Sequence, residues 1–401
     1  MSTHGPANHA KQQQGVALIA LVLVLVLATS YFLLSQANGI AATSSARALL
    51  TAQSLASAKE ALIARAATDD NRPGSLPCPD SNGDGNADLL VGNACPNYVG
   101  WLPWRTLDLP DPRDAASERL WYALSDTLRD DDSAEPINSD TPTTLTLNGQ
   151  GGIAAIIFAP LSPLTSQNRP SNTVSDYLDG ANGDGDTAYV SGSAGSTFND
   201  IVLPISLAEI MRPAEARVAG EAANCLRTYG AANGYRYPWT TRVNGAGGAI
   251  SYDDREDERL GRLPENLEET VDTASTMSDA WPANCPSPSP SSPSWWRNWK
   301  PLIFYAVAYN HRPAPSPPSD ICGVAGFQGP ECLMAGGTAD KHFVVMVASS
   351  RLAAVAGGQP RSTGNEQNTL GNYLEGENVT LPSFETAPLS PTFNDTVRYY
   401  P

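Results

Sequence analysis

Residues 16–34 form an uncharged, almost wholly apolar run, interrupted only by Thr29 and Ser30. At a helical rise of about 1.5 Å per residue such a run reaches about 28 Å, close to the thickness of a hydrocarbon core. The pattern therefore predicts a membrane-spanning helix over 16–35. Beyond it, Leu49, Ala52, Leu55, Lys59, Leu62 and Ile63 recur at steps of three to four residues, which predicts an amphipathic continuation over 36–68. Pro73 and Gly74 stop it. A second amphipathic helix is predicted over 215–232, and apolar runs at 153–159 and 343–348 read as buried strands.

These elements recur in order. Tyr177-Leu178-Asp179-Gly180-Ala181-Asn182 returns as Tyr373-Leu374-Glu375-Gly376-Glu377-Asn378, and Thr197-Phe198-Asn199-Asp200 returns as Thr392-Phe393-Asn394-Asp395. Gln167-Asn168-Arg169 is matched by Gln359-Pro360-Arg361, and Gly100-Trp101-Leu102-Pro103 by Gly261-Arg262-Leu263-Pro264. The chain therefore reads as a duplication: a first globular unit over 69–206 and a second over 207–401. The expected fold class is α+β, a long hydrophobic helix running into a head of two duplicated units with mainly antiparallel sheets. In the repeated motifs, the aromatic residues would anchor turns in the core, glycine would take a positive φ, and Asn-Asp would bond local backbone.

The start of the chain carries a further signal. Lys11-Gln12-Gln13-Gln14-Gly15 ends in a glycine placed directly before the apolar run, so a cut there would leave the helix on the mature protein. The arrangement resembles the class III signal of type IV pilins and pseudopilins. That resemblance implies cleavage of a 1–15 leader by prepilin peptidase after Gly15 and N-methylation of Val16. It also implies packing against other pilins through the N-terminal helix, with the head in the periplasm below a single-pass inner-membrane anchor. Most pilins carry glutamate at the fifth mature position, whereas this chain has Ala20. A buried carboxylate is stable only beside a partner amine, and a tip subunit has no neighbour above it. Ala20 thus points to a minor, tip-located subunit, similar to the K-type minor pseudopilin or the X-like minor pilins. A plain uncleaved signal anchor remains the alternative.

Composition narrows the chemistry. A net charge of −17 with four lysines disfavours nucleic acid as a partner. Cys78, Cys95, Cys225, Cys285, Cys322 and Cys332 match no zinc or redox spacing and indicate an oxidising compartment. The sequential set Cys78–Cys95, Cys225–Cys285 and Cys322–Cys332 is the expected pairing. Between the first two lie Asp80, Asn82, Asp84, Asn86 and Asp88, spaced like the opening of a calcium loop, with Gly85 at the sixth position. Position twelve is Val91 and not a bidentate glutamate, so the loop looks like those of dockerin-type modules. Calcium binding and a metal-free, Asx-rich turn are both open. The acidic run 253–258 reads as a solvated loop.

Catalysis finds no motif. Outside the leader the histidines are His311 and His342, with no nucleophile or zinc-ligand spacing around them. The expected function is a minor pilin or pseudopilin that primes assembly of a type IV pilus or type II secretion pseudopilus and presents the head for adhesion or partner contact. A stationary, signal-anchored periplasmic calcium-binding interaction protein is the alternative.

Overall fold

The apolar and polar patterning of the two halves builds two units of one topology, each a helix laid on a sheet. The computed structural model describes residues 10–131, 133, 135–243, 250–288, 292–353 and 358–401, without the side chains of 10–24, 28 and 31–43. The side chains of Gly15, Val16 and Ala20 lie outside the described residues.

In the first unit, helix α1 (Ala10–Thr68) precedes β1 (Val99–Trp101), β2 (Trp121–Leu124), β3 (Leu145–Leu147), β4 (Gln150–Ala159), β5 (Ala188–Tyr189) and β6 (Ile201–Ser206). Helix α2 (Leu207–Ala232) then opens the second unit. It is followed by β7 (Leu260–Arg262), β8 (Ile303–Val307), β9 (Leu333–Ala335), β10 (Thr338–Lys341), β11 (Phe343–Val347), β12 (Ser383–Phe384) and β13 (Thr396–Tyr400). The first sheet contains the row β1-β2-β4-β6, and the second the row β7-β8-β11-β13. One register line across the first reads Gly100, Tyr122, Ile157, Leu203; its counterpart reads Gly261, Tyr305, Val345, Arg398. The short parallel pair β3–β5 is matched by β9–β12. The first sheet is therefore mixed, and in the second unit the parallel pair lies in a separate three-stranded sheet, β10-β9-β12, beside the wholly antiparallel row β7-β8-β11-β13.

Helix α1 buries Thr51, Leu55, Ala58, Leu62 and Ala66 against the first sheet, at the spacing of one helical face. Helix α2 does the same in the second unit with Val218, Ala219, Ala222, Leu226 and Tyr229, and also packs on α1. One continuous apolar core runs through both sheets and both helices. A second cluster of Trp101, Trp121, Phe158, Tyr177 and Tyr189 fills the opposite face of the first sheet. Disulfides join Cys78 to Cys95, Cys225 to Cys285 and Cys322 to Cys332.

The expected membrane segment requires correction. Among the described residues, no helix is long and apolar enough to cross a membrane. This overturns the transmembrane helix over 16–35, the fold class of a hydrophobic spanning helix bearing a head, and the single-pass inner-membrane location. Of that run only the side chains of 25–27, 29 and 30 are described, and beyond it Arg47, Lys59, Glu60 and Arg65 bring charge into the rest of α1.

Two glycines show how closely the units agree. Gly100 and Gly261 each face the strand-like segment that follows their unit's helix, where Asp80 bridges Trp101 and Thr241 bridges Arg262. A Cβ at Gly100 would lie 2.6 Å from Asp80 O, and one at Gly261 would lie 2.0 Å from Thr241 O. Backbone cannot yield as a flexible side chain does. Gly261→Ala is expected to destabilise by about 2–4 kcal/mol in chemical denaturation. In contrast, Gly220→Ala, in open space on α2, should stabilise by about 0.5–1 kcal/mol. Equal effects at the two sites would contradict the packing described.

Candidate functional site

The loop over 80–88 is held in place by its own polar atoms. Asp80, almost fully buried, accepts at Oδ1 from the amides of Asn82 (3.0 Å) and Gly83 (2.7 Å) and at Oδ2 from Gly85 (2.7 Å). Asn82 Oδ1 accepts from the Asp84 amide, and Asp84 Oδ1 from the Asn86 amide, at 2.8 and 2.7 Å. Asp88 Oδ1 takes the Ser81 amide at 3.2 Å. The amide of Asn86 is the main reason the Asp84 carboxyl is held below its ordinary pKa. Trp104 lies against Gly85, Arg119 donates to Gly83 O, and the Cys78–Cys95 bridge spans the loop.

All five predicted metal residues thus lie on one turn. Their oxygen chemistry suits a hard cation, yet most of it is engaged by backbone N–H groups. Among the described residues, no group of three or more His, Cys, Asp or Glu side chains is placed to hold a metal. Asp88 Oδ2 is buried and has no hydrogen-bond partner among the described residues.

The repeated motifs meet in space across about twenty residues instead of bonding local backbone. Asp179 Oδ2 accepts from the amides of Asn199 (2.6 Å) and Asp200 (3.2 Å), while Asp200 Oδ2 accepts from the Asp179 amide at 2.8 Å and Asn182 Nδ2 at 2.9 Å. In the second unit Glu375 Oε2 accepts from Asn394 and Asp395, and Asp395 Oδ2 from Glu375 and Asn378. Gln167 and Gln359 bond the remaining oxygen of Asp179 and Glu375. Arg169 and Arg361 lie over the rings of Tyr177 and Tyr373 and bond those residues' carbonyls. Burial pushes the Asp200 carboxyl up to about 7 and, together with the charge of Glu375, raises Asp395 as well. Asn182, the last residue of the repeated motif, is a buried member of this clasp.

Other polar residues depart from their sequence appearance. Asp254, in the acidic run read as solvated, is buried and accepts from the amides of Glu269 (3.0 Å) and Thr270 (2.7 Å). It anchors the turn that opens the short helix Glu268–Thr273, which a run of charges cannot reveal. Arg262 is fully buried over Phe304 and Tyr373, where the first unit places Trp101. The paired Gly-Trp-Leu-Pro and Gly-Arg-Leu-Pro motifs carried that signal. A cleft of about 810 Å³ beside Trp281 is lined by Asp253, Glu265, Glu268, Asp272 and Asp279. Lys300 and the Trp296 indole already engage Glu265 there.

The histidines form a satisfied, buried pair, with rings stacked 4.0 Å apart at 18°. His311 Nε2 accepts from the Cys322 amide, so Nδ1 carries the proton and donates to Tyr235 O at 2.6 Å. His342 has the opposite tautomer, donating from Nε2 to Cys322 O while Nδ1 accepts from Tyr237 Oη. Neither imidazole has a vacant nitrogen with which to do chemistry.

No family model, curated protein or solved structure matches the chain.

Burial, followed by the charge of His342, lowers the His311 pKa from 6.5 to about 4, and burial lowers His342 too. Folding thus disfavours the charged imidazole, so its contribution to stability is complete above pH 6.5 and is lost as pH falls towards 4. In an NMR titration the His311 ring is expected to remain neutral until about pH 4. Titration near 6.5 would show the pair to be open to solvent.

Proposed function

We propose that this chain is a non-catalytic structural and interaction protein, a minor pilin or pseudopilin that primes filament assembly and presents its duplicated head at the tip. The observation that carries this reading is the way α1 leaves the head. Residues 44–50 are exposed, including Leu49 at 58% and Leu50 at 57%, whereas burial begins at Thr51. Leu25, Val26 and Leu27 further along the projecting part are exposed as well. Apolar side chains displayed on a projecting helix mark a surface that other proteins cover. Neighbouring pilins, packed through their own N-terminal helices, supply such a cover. The Gly15–Val16 junction supports processing by prepilin peptidase, and the satisfied His311–His342 pair supports a role without catalysis.

Mass spectrometry of the mature N-terminus tests this reading. The expected result is N-methylated Val16, abolished when Gly15 is replaced by a bulkier residue. An unprocessed N-terminus in a host with prepilin peptidase would sink it.

A calcium ion at the 80–88 loop is a second element of the proposal, supported by the orphaned Asp88 Oδ2 and the oxygen-only donor set. Millimolar calcium is expected to raise Tm, and Asp88→Asn with Asp84→Asn should remove that rise. The same rise in the double variant would dismiss the site.

A further inference from the structure

The duplication supplies an internal reference, and one surface of the second unit departs from it in charge. Arg259 O accepts from the Val307 amide at the edge of the second sheet, just as Tyr98 O accepts from the Leu124 amide in the first. Arg312 Nη1 donates to Tyr309 O, and Arg129 Nη1 makes the matching bond to Asp126 O. Arg259 thus stands where the first unit has Tyr98, and Arg312 stands where it has Arg129.

The equivalent arginines are neutralised differently. Arg129 is paired with Asp131 at 2.8 Å. Two residues beyond Arg312 the chain instead places Ala314. Among the described residues, neither Arg259 nor Arg312 has a carboxylate within ion-pairing distance, although this protein has 42 acidic residues to 25 basic ones. Both guanidinium groups gather about one exposed ring: Arg312 lies 3.7 Å from the Tyr309 centroid and Arg259 lies 5.4 Å from it. Burial, and to a lesser degree the charge of Arg312, lowers the Arg259 pKa.

Arg259 borders a cleft, and Arg312 lies over the ring of Tyr309 at its rim. Arg259 and Tyr309 line a hollow of about 340 Å³ whose wall includes Leu333, Leu381 and Pro382. Arg259 and Leu381 also line an adjoining hollow of about 460 Å³, together with Asp257 and Glu258, the latter paired with Arg242. One guanidinium fork beside an apolar wall, with a second over the Tyr309 ring at its rim, matches a carboxylate attached to an apolar group. Glu331 sits on the same rim. Its charge and the net −17 of the chain weigh more heavily against a multiply charged phosphate than against a monoanion.

We propose that Arg259, Tyr309 and Arg312 form a binding site for the free α-carboxylate of a peptide ending in an apolar residue, with the Leu381–Pro382 wall receiving the terminal side chain. The α-carboxylate supplies the charge that Asp131 supplies internally in the first unit.

The test is calorimetric titration of the full chain with N-acetyl-Gly-Leu as the free acid, as the C-terminal amide, and with inorganic phosphate. The acid is expected to bind at least about tenfold more tightly than the amide, the loss that follows from removing one charge-assisted hydrogen bond. Arg259→Tyr and Ala314→Asp, which reinstate the first unit's arrangement, should each weaken the acid by about tenfold or more at unchanged Tm. Arg242→Gln, whose arginine is exposed and paired with Glu258, should leave binding intact. Equal binding of acid and amide, no binding of the acid, or acid binding unaffected by both unit-one substitutions would overturn the proposal. Phosphate binding more tightly than the acid would overturn it in favour of a phosphate site.

Discussion

The reciprocal carboxylate clasp is the constraint on which each unit depends. Asp179 receives the amides that lead into β6, and Asp200 receives the amide and side-chain nitrogen at the turn, so two segments about twenty residues apart hold each other's backbone. Without the clasp, the amides of Asn199 and Asp200 would be donors without partners at the entrance to an edge strand. Hydrogen bonds to ionised acceptors contribute about 1.5–3 kcal/mol each, so four of them outweigh most other local terms. Burial raises the pKa of Asp200, and the charge of Asp179 facing it adds a smaller push in the same direction. Asp200 Oδ1, reached by no donor among the described residues, is the oxygen free to carry the proton; Asp395 Oδ1 is in the same position.

What joins the units is the absence of a linker. Ser206 closes β6 and at once caps α2, accepting the Glu209 amide while Glu209 returns to the Ser206 amide. Glu209 also meets Lys59 of α1 at 2.6 Å. Further along α2, buried Glu215 receives Ser139 Oγ from the first unit and Ser349 Oγ from the second, and burial raises its pKa. Trp299 Nε1 donates to Pro73 O, while Arg361 of the second clasp reaches Asp140 at 2.9 Å. The second unit's clasp is therefore tied to the first unit through a charge, and the helix that begins one unit completes the interior of the other.

The legibility of this arrangement in the sequence follows from the range of each interaction. Tyr-Leu-acid-Gly and Phe-Asn-Asp could be seen as repeated landmarks because the clasp demands the same side chains twice. That they face each other could not, because hydrogen bonds between segments twenty residues apart leave no periodicity. Glu215 sits in an otherwise ordinary amphipathic helix, and only the three hydroxyls around it make its burial tolerable. Asp254 was hidden by its charged neighbours. The five residues of the 80–88 loop were easily found, but Asx turns and calcium loops draw on the same oxygens and glycines, so spacing alone does not separate them.

Duplication also separates what the fold requires from what it permits. The Gly100 and Gly261 contacts, the bonds from Tyr122 to Pro77 O and from Tyr305 to Pro238 O, and both clasps persist in the two copies. Each connects backbone to a sheet or a turn, where a change would leave a buried group unpaired. Side chains that merely occupy space over the sheet have diverged: Trp101 in one copy corresponds to Arg262 in the other, an exchange of charge made tolerable by Phe304 and Tyr373 beneath the guanidinium. The edge position of Tyr98 and Arg259 diverged in the same way, but at a surface with a cleft beside it. Once backbone satisfaction is secured twice by the same bonds, the rest of the second surface is free to change its chemistry. The head thus carries two unlike faces on one repeated frame.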